Sequence, residues 1–293
     1  MRRLGLLCLT VVAGLSGVAA AGSAVQDPYA GLGAWVDIFD TRTWANPAGP
    51  IASMRAHDVK TLYVETSNSS QVADVVRPGQ LAGLVESAHA AGMKVVAWYL
   101  PTLTSPGRDL RRARAAIAFR TASGQAFDSF ALDIESSDLK SVRIRNRRLL
   151  ALSDGIRRAT PPGYELGAIV PSPVGIQIHR TYWPGFPWEE LRARFDTILP
   201  MAYFTYHLSA PKAVLEYVRS VVGLVRADTG DPTVPIHVIG GIANRATGAA
   251  LQSFVSAASS CDVAGVSLYD FSTTNAAGWS ALARFAPAPA GPC

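Results

Sequence analysis

The sequence has few cysteines and lysines, and it lacks the motifs typical of metal-dependent or serine-dependent enzymes. Three cysteines among 293 residues cannot form a disulfide scaffold. The five histidines show neither H-x-H nor H-E-x-x-H spacing, which disfavours a metal site. No G-x-S-x-G motif occurs after the first 24 residues, which disfavours a serine hydrolase. We therefore predict no metal and no cofactor.

The charge balance gives little support for a nucleic-acid partner. Lysine and arginine number 27 against 22 acidic residues, and only four of the 27 are lysine. The strongest basic run, residues 140–148, has no aromatic residues between its cations, unlike surfaces that bind single strands. It could attract an anionic wall polymer, but we interpret it as a solvated helix face and expect no nucleic-acid partner.

Long apolar runs are also missing, except at the start of the chain. Two arginines precede an apolar stretch at residues 4–21 that ends in small residues. Glycine and serine interrupt this stretch, which makes a transmembrane anchor the weaker alternative. We predict a signal peptide at residues 1–24, and a secreted, monomeric domain at 25–293 without membrane contact after cleavage. Cys261 and Cys293 then remain, either as a disulfide holding the C-terminal tail or as two free thiols.

What the sequence does contain is a regular alternation of strand and helix patterns. A hydrophobic fraction of 49% with 17% charged residues excludes a disordered chain. Eight apolar segments, rich in β-branched and aromatic residues, read as strands buried on both faces. They cover residues 33–38, 61–66, 94–100, 129–135, 165–170, 196–203, 235–241 and 263–270.

Helical spacing of apolar residues appears between these segments. The clearest examples cover residues 79–91, 109–121, 138–159, 211–228 and 247–260. Eight strand and helix units in this length predict an α/β fold of one (β/α)8 TIM barrel. The alternative is a doubly wound open sheet, but the first strand is not followed by the glycine-rich phosphate turn typical of that fold.

Acidic and aromatic residues cluster where the predicted strands end. Side chains from these ends converge on one pocket in a barrel. We therefore expect a shared site that includes Trp35, Asp37, Glu65, Trp98, Asp133, Glu135, Tyr203 and Asp270.

The fourth strand carries the most informative pair, Asp133 and Glu135. Two residues apart on a strand, they face the same side. Like charges at this distance raise one pKa, which creates a protonated acid beside an ionised partner. Glycoside hydrolysis needs this combination of a proton donor and a negative group near the oxocarbenium-like centre. The alternative is a strand-end pair that caps a helix or binds arginine.

The same segment resembles a known family. Residues 127–135, Phe-Asp-Ser-Phe-Ala-Leu-Asp-Ile-Glu, are similar to the D-x-x-D-x-D-x-E signature of family 18 chitinases. The resemblance implies that Glu135 is the general acid and Asp133 orients the substrate, with Asp128 at the first position and Ala131 replacing the middle Asp. Met201-Ala202-Tyr203 resembles the M-x-Y on the sixth strand of that family, although Phe204 replaces an Asp. The whole chain resembles secreted bacterial barrel proteins described as candidate glycoside hydrolases.

These observations predict a secreted glycoside hydrolase that acts on a poly- or oligosaccharide, with Glu135 as acid/base and Asp133 as its partner. Trp35, Asp37, Glu65, Trp98, Tyr203 and Asp270 are the expected substrate contacts. Four aromatic residues at 182–188 either stack on sugar rings or pack beneath their own loop. The alternatives are a carbohydrate-binding barrel without catalysis, which the loss at position 131 favours, and a polysaccharide deacetylase or lyase.

Overall fold

The fold is a closed barrel of eight parallel strands, and the predicted (β/α)8 TIM barrel is confirmed. The computed structural model describes residues 27–287 and residue 293. Each strand pairs with the next along the chain, and the last pairs with the first. The strands are β1 (Gly31–Val36), β2 (Val59–Ser67), β3 (Lys94–Tyr99), β4 (Ser129–Asp133), β5 (Leu166–Pro171), β6 (Thr197–Met201), β7 (His237–Ile242) and β8 (Gly265–Tyr269).

Helices surround the barrel, and four of them have proline as their first residue. Proline is tolerated there because the first amide groups of a helix have no internal partner. The four are α3, α4, α6 and α8. The α-helices in the described residues are α1 (Thr41–Ala45), α2 (Ala48–Ala56), α3 (Pro78–Ala90), α4 (Pro106–Ala118), α5 (Val142–Arg157), α6 (Pro173–Ile178), α7 (Trp188–Arg192), α8 (Pro211–Thr229), α9 (Gly248–Ser260) and α10 (Ala276–Leu282).

Two separate apolar clusters explain why the strands read as continuous apolar runs. One cluster lies between the strands and the helices, and the other fills the barrel interior. On β3, Val95 and Ala97 belong to the outer cluster, whereas Val96 and Trp98 belong to the inner one. Because both faces are buried, neither face requires polar residues, and the period-two alternation is lost.

The floor of the barrel is polar and closed. His237 donates through Nδ1 to the Tyr29 carbonyl at 2.8 Å, and its Nε2 lies 2.9 Å from the Ser267 hydroxyl. Burial lowers the pKa of His237 to about 4, so the ring is neutral. Gly265 is required here, because a Cβ at that position would meet the His237 ring and the Tyr29 carbonyl. The opposite end of the barrel therefore carries the accessible site.

The disulfide joins Cys261 to Cys293 with a Cα–Cα distance of 5.1 Å, as one of the two sequence-based alternatives predicted. The predicted signal peptide, residues 1–24, lies outside the described residues. Within residues 27–287 and 293, no helix is long and apolar enough to cross a membrane.

The basic run at 140–148 is not simply a solvated face. Arg145 is buried at the start of α5, where it contacts the Trp183 ring at 4.3 Å. Arg148 donates to the carbonyl groups of Leu103 and Thr104. These arginines hold neighbouring loops, and only part of the run faces solvent.

Candidate active site

Asp133 and Glu135 lie at the carboxyl end of β4, where the chain leaves the barrel. Asp133 is the last residue of β4 and is only 8% exposed. Its Oδ1 atom is buried and has no hydrogen-bond partner in the described part of the chain. Glu135 follows the strand and is exposed at the barrel mouth. Among the described residues, neither carboxylate forms an ion pair with an arginine, and the N-cap of the following helix α5 is Ser141, so the helix-cap or ion-pair alternative is not what the structure shows.

Both carboxyl groups of this pair have raised pKa values. Burial is the main cause at Asp133, and repulsion from Glu135 and Glu65 adds to it. At Glu135 the recess around the side chain removes enough water to raise its pKa as well. The sequence predicted this effect from like-charge repulsion, but desolvation is the larger cause. A proton is therefore retained at this pair more readily than on free carboxylates.

Glu135 opens onto a cavity of about 610 Å³ between the loops after β4, β5 and β6. The cavity is also lined by Tyr182, Met201 and Tyr203. The Tyr182 hydroxyl donates to the main-chain carbonyl of Glu135, which fixes the backbone of the acid. The half-buried Tyr203 has a raised pKa because of burial and because Asp133 and Glu135 lie nearby. The structure thus brings Tyr203 together with the carboxylate pair.

Glu65 is buried beside this site but its oxygens are occupied. The Ile38 amide donates to Oε2 at 3.1 Å, and Asn68 Nδ2 donates to Oε1 at 2.8 Å. Burial nevertheless raises the pKa of Glu65 to about 7, and the charge on Asp37 contributes. Because Glu65 also contributes to the raised pKa of Asp133, it belongs to the same acidic cluster.

The raised pKa of Glu65 predicts a pH-dependent stability. The folded protein holds this proton more tightly than the unfolded chain, so stability falls as pH rises from about 4.5 to about 7. In Glu65→Gln this part of the pH dependence should vanish. It amounts to a change in the free energy of unfolding of up to about 3 kcal/mol across that range. The variant also loses one hydrogen bond at every pH, because an amide has one acceptor oxygen.

Denaturant unfolding at pH 4.5, 6 and 8 measures this effect. The exposed Glu216 on α8 offers a matched control, because its substitution by Gln should leave the pH dependence of the wild type unchanged. Identical pH dependence in Glu65→Gln and the wild type would show that Glu65 does not titrate near neutrality.

Asp37 and Asp270 accept hydrogen bonds from main-chain amides of the loops that follow their strands. Asp37 Oδ1 accepts from the amides of Phe39 and Asp40, and its Oδ2 accepts from the Tyr269 hydroxyl at 2.8 Å. Asp270 Oδ1 caps the short 3-10 helix Phe271–Thr273. Both lie at the carboxyl ends of their strands, as predicted, and their roles toward a substrate remain predictions.

The two predicted tryptophans belong to the barrel interior. Trp35 is 2% exposed, stacks on Tyr63 with ring centroids 4.2 Å apart, and donates to Ser267 Oγ at 2.8 Å. Trp98 is 4% exposed and meets Trp35 edge to face. The Trp98 Nε1 atom is buried without a partner among the described residues. Trp98 therefore lies below the mouth of the barrel, and Trp35 packs in the barrel core.

Two other sequence features have structural roles. Asp128 lies before β4, at the opposite end from Glu135, where it accepts from Lys94 at 2.9 Å and from the Val95 amide at 2.8 Å. In the aromatic run at 182–188, Trp183, Phe186 and Trp188 are buried, so packing beneath the loop is the correct alternative for these three.

Sequence reasoning missed part of the cavity wall. Ile178 at the end of α6 and Tyr206 after β6 are 69% and 51% exposed; Tyr206 lines this cavity, and both line the one that adjoins it. Tyr206 follows the predicted sixth strand by three residues, whereas Ile178 lies eight residues after the fifth, where no sequence pattern marked it. Within the described residues, no group of three or more His, Cys, Asp or Glu is placed to hold a metal ion.

Comparison with solved structures shows the fold. The endo-β-1,4-mannanase of Thermotoga petrophila superposes with a TM-score of 0.67 at 10% identity, covering 88% of this chain and 76% of that one. The glycoside hydrolase domain of PgaB from Bordetella bronchiseptica gives 0.62 at 12% identity, covering 87% and 98%. The chitinase of Chromobacterium violaceum gives 0.60 at 11% identity, covering 86% and 98%.

Sequence comparisons found no similar protein. No family model matches the chain, and no curated protein matches it. At these low identities the solved structures establish a shared (β/α)8 barrel architecture.

Proposed function

We propose that this protein is a secreted glycoside hydrolase whose general acid is Glu135 and whose partner carboxylate is Asp133. The observation that carries the proposal is the pair at the end of β4. One carboxylate is buried without a hydrogen-bond partner, and the other lines an open cavity. The architecture, shared with solved glycoside hydrolases, is consistent with the proposal.

The two carboxyl groups differ in a way that suits glycosidic bond cleavage. Glu135 has a raised pKa and reaches the cavity, so it can hold a proton and transfer it to the leaving oxygen. Asp133 lies deeper and has an unused oxygen, so in its ionised form it can stabilise the oxocarbenium-like centre. The bond between the anomeric carbon and the protonated oxygen breaks and the leaving group departs as an alcohol. A water molecule then attacks the anomeric carbon, and the Glu135 carboxylate accepts its proton.

Other features of the chain support the proposed setting. The disulfide between Cys261 and Cys293 is typical of proteins in oxidising compartments, which supports export. Tyr203 and Tyr182 provide aromatic surface beside the acid, as carbohydrate sites commonly do.

The test is incubation of the purified protein with cell-wall and plant polysaccharides, followed by mass analysis of released oligosaccharides. We expect new oligosaccharides from the wild type and at least about a hundredfold fewer from Glu135→Gln. The substitution Glu189→Gln on the exposed start of α7 provides a matched control that should keep full activity.

The second candidate is a carbohydrate-binding barrel without catalysis. Ala131 replaces an acidic residue of the related motif, and β7 offers no carboxylate to act from the other side of the barrel. Binding to a glycan array without any released oligosaccharide would favour this candidate over hydrolysis.

A further inference from the structure

The cavity at Glu135 continues into a second one and forms a groove that leads away from the carboxylate pair. The second cavity, of about 450 Å³, extends between α6 and the loop after β6 to Tyr217 on α8. We call both cavities together the α6 groove. Its two parts share Ser172, Gly175, His179, Met201, Tyr203 and Tyr206.

The walls of the α6 groove are mainly hydrocarbon. Val174 and Ile178 contribute from α6, and Leu208 contributes from the loop after β6. Ile178 and Tyr206 are two of the four large apolar side chains that are most exposed in the described residues. Among the residues that line the groove, Glu135 is the only acidic one, and none is lysine or arginine.

Several polar atoms in the α6 groove are already used. The Tyr217 hydroxyl donates to Ser172 Oγ at 2.9 Å, and Ser172 Oγ also accepts from the Gly175 amide. The Tyr182 hydroxyl donates to the Glu135 carbonyl. Sugar rings placed against Val174, Ile178 and Leu208 would bury hydroxyl groups against hydrocarbon, which costs free energy because these side chains offer no hydrogen-bond partner.

The position of the acid shows which part of a glycoside would occupy the groove. Glu135 lines the α6 groove, whereas Asp133 is buried in the strand behind it. A general acid contacts the leaving oxygen, so the leaving group must lie on the side of Glu135. We propose that the α6 groove binds a hydrocarbon aglycone, so that the substrate is a glycoside with an apolar leaving group. This rests on the proposed function, from which the leaving-group side is taken.

The test measures how affinity depends on alkyl chain length. Methyl, butyl, hexyl and octyl β-D-glucosides, below their micelle concentrations, are titrated calorimetrically into Glu135→Gln, in which cleavage during the titration should be at least about a hundredfold slower. We expect affinity to rise about two- to fourfold for each added methylene, with an increasingly negative heat capacity of binding. The n-alcohols from butanol to octanol should show the same dependence without a sugar.

Variants of exposed residues separate the groove from other apolar surface. Ile178→Ser, combined with Glu135→Gln, should weaken octyl glucoside binding about three- to tenfold and leave the methyl compound unchanged. Val72 is 98% exposed and lines neither cavity, so Val72→Ser should change nothing. Equal affinity for butyl and octyl compounds, or an unchanged dependence in Ile178→Ser, would overturn the proposal.

The outcomes distinguish this proposal from the proposed hydrolase. Cleavage of glycans by the wild type without any chain-length dependence would remove the hydrocarbon site and keep the hydrolase. Chain-length dependence that Ile178→Ser reduces, with neither a polysaccharide nor octyl glucoside cleaved by the wild type, would support the hydrocarbon site and remove the hydrolase.

Discussion

Replacing Glu135 by Gln should lower kcat by about 10²- to 10⁴-fold on any glycan that the wild type cleaves, because general acid catalysis contributes this much. Glu135 is exposed and its side-chain oxygens accept no hydrogen bond from the described residues, so the folded structure does not depend on its charge. KM should change little, since an amide occupies the same volume. Initial rates of reducing-end release, with thermal unfolding of both proteins, test this expectation.

A further test of Glu135 uses the leaving group. A glycoside with an activated aryl leaving group needs less protonation, so Glu135→Gln should retain much more of its activity on that substrate than on a natural glycan. If the variant loses the same factor on both substrates, Glu135 does not act as the acid.

Replacing Asp133 by Asn should have opposite effects on activity and stability. Turnover should fall about 10²- to 10³-fold, because a negative group near the reacting centre is lost. Stability at pH 7 should rise by about 1–3 kcal/mol, because burial raises the pKa of Asp133 and the neutral amide removes the cost of burying a group that is ionised in the unfolded chain. Few substitutions in a buried polar site stabilise the fold, so this combination is diagnostic.

The pH dependence of the gain follows from the raised pKa of Asp133. The folded protein binds the proton of Asp133 more tightly than the unfolded chain does. Burial of Asp133 therefore does not lower the free energy of unfolding of the wild type below about pH 4, and it lowers it increasingly as pH rises above that value. The stability gain of Asp133→Asn should therefore be absent in acid and should grow as pH rises.

Asp109 provides the matched control for Asp133. It is fully buried, but Oδ1 accepts from the Tyr99 hydroxyl at 2.7 Å and Oδ2 accepts from the Leu103 amide at 3.0 Å. Asp109→Asn leaves one of these donors facing an amide nitrogen, so it should destabilise the fold by about 1–3 kcal/mol. If Asp133→Asn were equally destabilising, Asp133 would be a structural residue.

The barrel was predictable because its strands are buried on both faces. Each of the eight predicted segments overlaps a strand of the structure, and the errors are confined to their ends. Helix limits were less accurate: α5 begins at Val142, whereas the apolar periodicity predicted a start at 138. Helix α2 was missed, since Pro50 and Gly49 near its start are typical of turns.

The candidate site was predictable in position but not in detail. Strand-end residues converge in a barrel, so Asp133, Glu135 and Tyr203 could be grouped from the sequence. What the sequence could not reveal is which acids have partners. The side chains of Asp37 and Asp270 each accept a hydrogen bond from a main-chain amide, and such contacts depend on loop conformation. The α6 groove was hidden for a related reason, because its aliphatic residues come from segments separated along the chain.

The bond between Cys261 and Cys293 has a consequence for how the cylinder can open. Residues 261–293 form a covalent ring that contains β8, and β8 is the strand whose pairing with β1 completes the sheet. With the bond intact, the segment after β8 stays linked to the end of α9, so both flanks of β8 remain anchored on one side of the barrel. We expect thiol reduction to free the C-terminal flank of β8 and to make local separation of β8 from β1 easier, which limited proteolysis with and without a reductant would detect.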